Sequence, residues 1–141
     1  MNSITNKGLA RFLARVIVGL IFFMAGYWKC FELTPIGHAE AFFIGSFSQT
    51  WIPEWLLWGI GVLIPILELV AGGLLVLGLF QRYCFLILGA ILITVTYGHL
   101  LIEPLFSLIN HIFPRSILLI IAMVLPQNED KWTLDYYIKK W

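Results

Sequence analysis

Arg15, Lys29, Glu68, His99, Glu103 and Arg115 are ionisable side chains set in strongly apolar sequence. Glu68 is the most isolated of them. It stands near the middle of the run from Ile52 to Arg82, with Pro65 one turn before it. A carboxylate in such a run can exchange a proton or hold a cation across a helix interface. A lysine, histidine or arginine facing it can hydrogen-bond a ligand oxygen. An ionisable group at mid-membrane depth costs about 2.5–3.5 kcal/mol on insertion scales, so it turns toward a partner or a cavity. Glu68, Lys29 and His99 are therefore the candidates for proton or substrate chemistry. Arg15, Glu103 and Arg115 are the candidates for lining the same polar pocket or holding a ligand or lipid headgroup, with Arg115 either a deep partner for a carboxylate or an interface anchor.

The elements that must position these groups are long apolar helices. From Trp55 to Phe80 the run is about 26 residues, roughly 39 Å as a helix and enough to cross a bilayer with some tilt. The other spans are expected at about 9–31, 83–102 and 105–125, with a tail from 126 to 141. On the first span Arg15, Gly19, Phe22, Gly26 and Lys29 recur at helical spacing and share one face. Glycines let a second helix approach that face closely. Lys29 then either turns inward along the glycine face or snorkels to the surface, and the same alternative is open for Arg15.

On the second span Gly61, Pro65, Glu68, Gly72, Leu75 and Leu79 form one face. Pro65 removes the hydrogen bond to the carbonyl of Gly61 and should kink the helix just before Glu68. The two glycine-bearing faces are expected to pack together and to couple Glu68 with Lys29. Glu68 then serves either a ligand or helix-helix specificity alone.

Phe80-Gln81-Arg82 is a tight turn into the third span, where Ala90, Thr94 and Gly98 form a small-residue seam. His99 and Glu103 are one turn apart and could hydrogen-bond. The fourth span is interrupted by Asn110-His111 and Pro114-Arg115-Ser116. Either it is a broken helix lining the site, or the residues before Pro114 form an interfacial element. Between the first two spans, His38 to Phe47 reads as a short interfacial helix with Phe42, Phe43 and Phe47 on its apolar side. Trp51, Trp55 and Trp58 form an aromatic belt, and the aromatic, basic tail suits the opposite interface.

The 141 residues are 60% hydrophobic and only 12% charged, with mean hydropathy +0.91. Soluble domains run at about 45–50% apolar and about 25% charged, so the lipid bilayer is this chain's solvent. One domain over 1–141 is expected, without a soluble appendage. No basic cluster points to nucleic acid. Cys30 and Cys84 fall at opposite ends of the spans, too far apart for a disulfide, and no Cys/His set has metal-ligand spacing. Lys7, Arg11 and Arg15 precede the first apolar run without a small-residue cleavage site, so that run reads as a retained span. Seven Lys and Arg fall on the side of the two termini, against Lys29 and Arg115 opposite. That asymmetry places both termini in the cytoplasm, Glu68 at mid-depth, and Lys29, His99 and Glu103 in the outer third.

The series Arg15-(x)3-Gly19-(x)2-Phe22-(x)3-Gly26-(x)2-Lys29 resembles the first-helix signature of the DoxX family of small membrane proteins. Ile52-Pro53 and the stretch Glu68-Leu-Val-Ala-Gly-Gly-Leu-Leu-Val-Leu-Gly78-Leu-Phe-Gln-Arg82 resemble its second helix. Trp132-Thr-Leu-Asp135 is similar to its aromatic-Ser-Leu-Asp ending, while the likeness weakens after Glu103. The resemblance implies an all-α, four-helix bundle in the cell membrane, the inner membrane of a bacterium. Its founding relatives are subunits associated with a thiosulfate:quinone oxidoreductase, and distant eukaryotic relatives are receptor chaperones. A small subunit of quinone-linked redox chemistry is therefore the first expectation. On that expectation a quinone would be its ligand and a membrane protein or redox subunit its partner, and a homo-oligomer is compatible. Lys29, His99 or Arg115 would hydrogen-bond a quinone oxygen, and Glu68 would relay a proton. A non-catalytic assembly factor or structural subunit is the alternative. Proton-coupled transport fits less well, since four spans show no internal repeat.

Overall fold

The computed structural model describes residues 5–103 and 112–138. Helix α1 covers Asn6–Tyr27 and continues without a break into a π-helical turn, Trp28–Glu32. Thr5 starts it by accepting a hydrogen bond from the N–H of Gly8 (3.0 Å). A short excursion follows: α2 (Pro35–His38), a second π-helical stretch (Ala39–Ile44) and α3 (Gly45–Phe47). Helix α4 covers Glu54–Leu77 and α5 covers Gln81–Ile102. Then come α6 (Phe113–Val124), a 3-10 turn (Gln127–Glu129) and α7 (Leu134–Ile138). Among the described residues all regular structure is helical.

Three helical stretches are long and apolar enough to cross a membrane: Asn6–Glu32, Glu54–Leu77 and Gln81–Ile102. The expected fourth span lies partly in 104–111, outside the described residues. Its described part, α6, has 12 residues, about 18 Å and short of a bilayer crossing by itself. Pro114 sits in the first turn of α6, where its missing N–H has no helical acceptor to lose. At that proline the apparent interruption is a helix start. Asn110 and His111 lie outside the described residues.

The buried residues of α1 are Gly8, Arg11, Ala14, Arg15, Val18, Gly19, Phe22 and Gly26, a stripe at helical period. On α4 the stripe is Leu57, Gly61, Ile64, Pro65, Glu68, Ala71, Gly72 and Leu75. The two stripes meet in the most extensive helix pair of the fold. A methyl group on Gly26 would lie 2.3 Å from the backbone nitrogen of Leu69, and one on Gly72 would lie 2.5 Å from that of Phe23. Here the two backbones are in contact, and side-chain-free positions are a condition of the packing. Helix α6 closes against α1 and α5, and Val18, Phe22, Leu75 and Leu88 are fully buried at the centre.

The tail exposes Trp132 and Tyr137 and is also tied into the bundle. Asp130 (0% exposed) and Thr133 are buried beneath the end of α4. Helix α4 ends in a left-handed Gly78 (φ 73°), with Leu79 N–H donating to Leu74 O (2.9 Å) and Gly78 N–H to Leu75 O (3.1 Å). This is the paired hydrogen-bond pattern that closes many helices. Thr133 packs directly on that glycine, and Asp135 N–H donates to its carbonyl (3.2 Å). The turn between α4 and α5 is Gly78 to Phe80, not Phe80 to Arg82. Gln81 already belongs to α5 and is buried.

Candidate functional site

At the end of the bundle remote from this tail, α1, α4, α5, α6 and the excursion enclose a cavity of about 460 Å³. Pockets of about 300–1,000 Å³ are the size class of small-molecule sites. Its wall is mainly apolar and aromatic, with Phe22, Phe42, Phe43 and Phe47 contributing rings. Lys29, His38, Glu68, His99 and Arg115 bring polar groups to the same wall.

Lys29 Nζ donates to Glu68 Oε2 at 2.6 Å, and the carboxylate side chain is only 2% exposed against 19% for the lysine. The pairing expected between the glycine faces is present. Its local causes are the contact at Gly26, which brings α1 against the backbone of Glu68 and Leu69, and the π-helical turn that carries Lys29. A π turn displaces side chains from the regular helical stripe and is frequent at functional sites. An ion pair this deep is held by mutual neutralisation, since either charge alone would be strongly disfavoured there.

His38 was not expected at the site. Its Nδ1–H donates to the carbonyl of Gly61 at 2.7 Å, and the ring is 4% exposed. Gly61 is the residue whose carbonyl Pro65 deprives of a helical donor, so a side chain from the excursion satisfies it. Gly61 also lacks the side chain that would collide with Ala39, at 2.7 Å. Burial, and to a lesser extent the Lys29 charge, lower the His38 pKa; the Gly61 hydrogen bond opposes them. The ring is therefore neutral at physiological pH, leaving Nε2 as an acceptor. The excursion is thus more than an interfacial helix. Phe43 and Phe47 turn inward to wall the cavity, with Phe47 packed against Gly98. The signal in the sequence was the orphaned carbonyl four residues before Pro65.

Arg115 enters the wall from the first turn of α6, its guanidinium 5.8 Å from the centroid of the buried Phe22 ring. His99 reaches the wall from the last turn of α5. Glu103 does not line the cavity. It ends α5 in an extended conformation, exposed, with its N–H donating to the carbonyl of His99 (2.9 Å).

Arg15 lies at the other end of the molecule and neither lines the cavity nor reaches the surface. It is 0% exposed, pairs through Nε with Asp130 Oδ2 (2.8 Å), and donates to the carbonyls of Leu75 (2.6 Å), Val76 (2.7 Å) and Trp132 (2.7 Å). The physical reason is the end of α4, whose last carbonyls need donors and favour a cation. Arg11 works beside it. It is buried, donates to the carbonyls of Ala122 (2.6 Å) and Leu125, and reaches Gln81 Oε1 at 3.0 Å. Two arginines of α1 thus tie the ends of α4 and α6, the start of α5 and the tail into one structural clamp.

Cys30 and Cys84 are both free thiols. Comparison with characterised proteins and with solved structures finds no match. The family model described as DoxX matches residues 10–100, which contain the α1–α4 seam, Lys29, His38 and Glu68, and the chain belongs to the DoxX family.

Proposed function

We propose that this DoxX protein is a small membrane subunit in quinone-linked redox chemistry, with the cavity at Lys29 and Glu68 as its ligand site. The observation that carries the reading is a buried ion pair opening onto an aromatic-walled cavity of about 460 Å³. The residues suit a quinone. Rings on the wall match a planar aromatic body, and donors and acceptors stand among them. Bound there, a quinone would supply a two-electron, two-proton acceptor. Lys29 uses one of its three donors on Glu68 and retains others for a ligand oxygen. Glu68 is the group that can hold or pass a proton, and the Nε2 lone pair of His38 can accept one hydrogen bond. Electrons would come from a partner subunit or a bound thiol substrate.

In the same reading a fourth span runs from about 105 to 125, and residues 1–141 form one domain in the cell membrane. The excess of Lys and Arg beside the termini supports a cytoplasmic location for both. The protein works with a redox partner, and self-association is compatible with its lipid-facing surfaces. A non-catalytic assembly or structural role is the second reading, favoured by the Arg11, Arg15 and Asp130 clamp, which uses buried charge purely to hold helices together.

The experiment is purification in mild detergent, followed by mass spectrometry and absorbance of co-purifying small molecules. A stoichiometric quinone, lost on Glu68→Gln or His99→Ala, is the expected result. An empty cavity with a stable partner protein would replace this reading with the second. Accumulation of a small solute in proteoliposomes would point instead to transport.

A further inference from the structure

The cavity wall carries more positive than negative charge. Glu68 is its carboxylate among the described residues and is already neutralised by Lys29. Arg115 remains. Among the described residues it has the Phe22 ring as its charge-stabilising neighbour and no carboxylate within 4.0 Å. The residues outside the description that adjoin it in sequence, 104–111, read PLFSLINH and contain no Asp or Glu. Neither histidine on the wall can supply a negative charge, and protonation of either would only add to the excess. A guanidinium is always ionised, and its attraction to a ring face is about 0.5–2 kcal/mol; Arg115 is only partly buried, so its donor fork stays within reach of a ligand. The cavity is partly open, so an anion that enters can supply a counter-charge.

We infer that the cavity selects a planar aromatic ligand carrying one negative charge, held by the Arg115 guanidinium against the Phe22 end of the wall. This rests on the cavity being the ligand site and deepens that reading. The aromatic body follows from the rings of Phe22, Phe43 and Phe47. The single charge follows from one unneutralised cation. An oxyanion suits the planar donor fork of an arginine better than it would suit a lysine.

The test uses the full chain in lipid nanodiscs and three probes: lawsone, a hydroxynaphthoquinone that is an anion at neutral pH; its neutral methyl ether; and naphthoate. Affinity is read by quenching of tryptophan fluorescence. Lawsone is expected to bind roughly tenfold or more tightly than its ether, as one charge-assisted hydrogen bond implies. Arg115→Gln should erase that ratio, and Arg115→Lys should keep part of it. The acid transition of bound lawsone, followed by its visible colour, should lie at lower pH than that of free lawsone. Equal affinity for lawsone and its ether, or a ratio untouched by Arg115→Gln, overturns the Arg115 assignment but leaves a quinone site standing. Binding of naphthoate alone, sensitive to Arg115→Gln, keeps the assignment and removes the quinone reading. If no probe binds, both fall. Should Arg115→Gln fail to fold, the parent chain's lawsone-to-ether ratio and the Arg115→Lys variant decide.

Discussion

His38 Nδ1 lies 2.7 Å from the carbonyl of Gly61, the carbonyl that Pro65 leaves without a donor inside α4. A proline in a membrane helix thus has its missing hydrogen bond supplied by an imidazole from a separate segment. That link docks the excursion onto α4 and sets one wall of the cavity.

The link predicts a coupling between the two residues. His38→Phe should cost about 1–3 kcal/mol, because it strands a buried carbonyl. With Pro65→Ala present, the restored N–H can bond Gly61 and the same change should cost at least about 1 kcal/mol less. Thermal or denaturant unfolding of the four variants measures this. An identical cost in both backgrounds would refute it.

The pH dependence has a definite sign. The folded state holds the His38 pKa below its ordinary value, with burial the main cause. The unfolded chain therefore binds this proton more readily. Stability from this group is complete above the ordinary imidazole pKa of about 6.5 and is lost as pH falls through that value toward the depressed one. Melting curves from about pH 8 to pH 5 should show a fall that His38→Asn reduces. An unchanged slope in that variant would assign the fall elsewhere.

The Lys29–Glu68 pair should respond asymmetrically. Lys29→Met strands a carboxylate that is 2% exposed, whereas Glu68→Gln strands a lysine that is 19% exposed. The first should cost roughly 3–5 kcal/mol and the second less, because the lysine can reach water. The double variant should recover much of the loss, and additive effects on the melting temperature in detergent would contradict the pairing.

The α1–α4 seam can be probed with single methyl groups. Gly26→Ala places a carbon 2.3 Å from Leu69 N and should cost about 1–3 kcal/mol by forcing the helices apart. Gly59, also in α4, has nothing within 4 Å of the added carbon. There the same change should be neutral or stabilise by about 0.5–1 kcal/mol through helix propensity. Similar melting shifts for both would show that backbone contact does not limit this interface.

Asp130→Asn should loosen the tail before it affects the cavity. It leaves the buried Arg15 charge without its 2.8 Å partner, at a cost of about 3 kcal/mol or more. Limited proteolysis should then cut between Pro126 and Thr133 faster than in the parent, while ligand affinity changes little. Equal cleavage rates would mean that the carbonyls around Arg15 suffice.

The apolar spans, the helical stripe from Arg15 to Lys29 and the glycine faces were legible in the sequence because each depends on local period and side-chain size. The Lys29–Glu68 pairing followed from them, since two glycine faces can meet backbone to backbone in few registers. Pro65 even marked the carbonyl that needed a donor. That His38 supplies it depended on where the excursion folds back, a non-local contact without a periodic signature. Arg15 and Arg115 show the same boundary. Both are cations in apolar sequence, and local pattern does not separate them. Tertiary structure set one against the carbonyls at the end of α4 and Asp130, and the other beside the Phe22 ring of the cavity wall, with no carboxylate within 4.0 Å of it among the described residues. Whether a charge in apolar sequence is structural or available to a ligand depends on which distant groups reach it, and only the folded chain decides that.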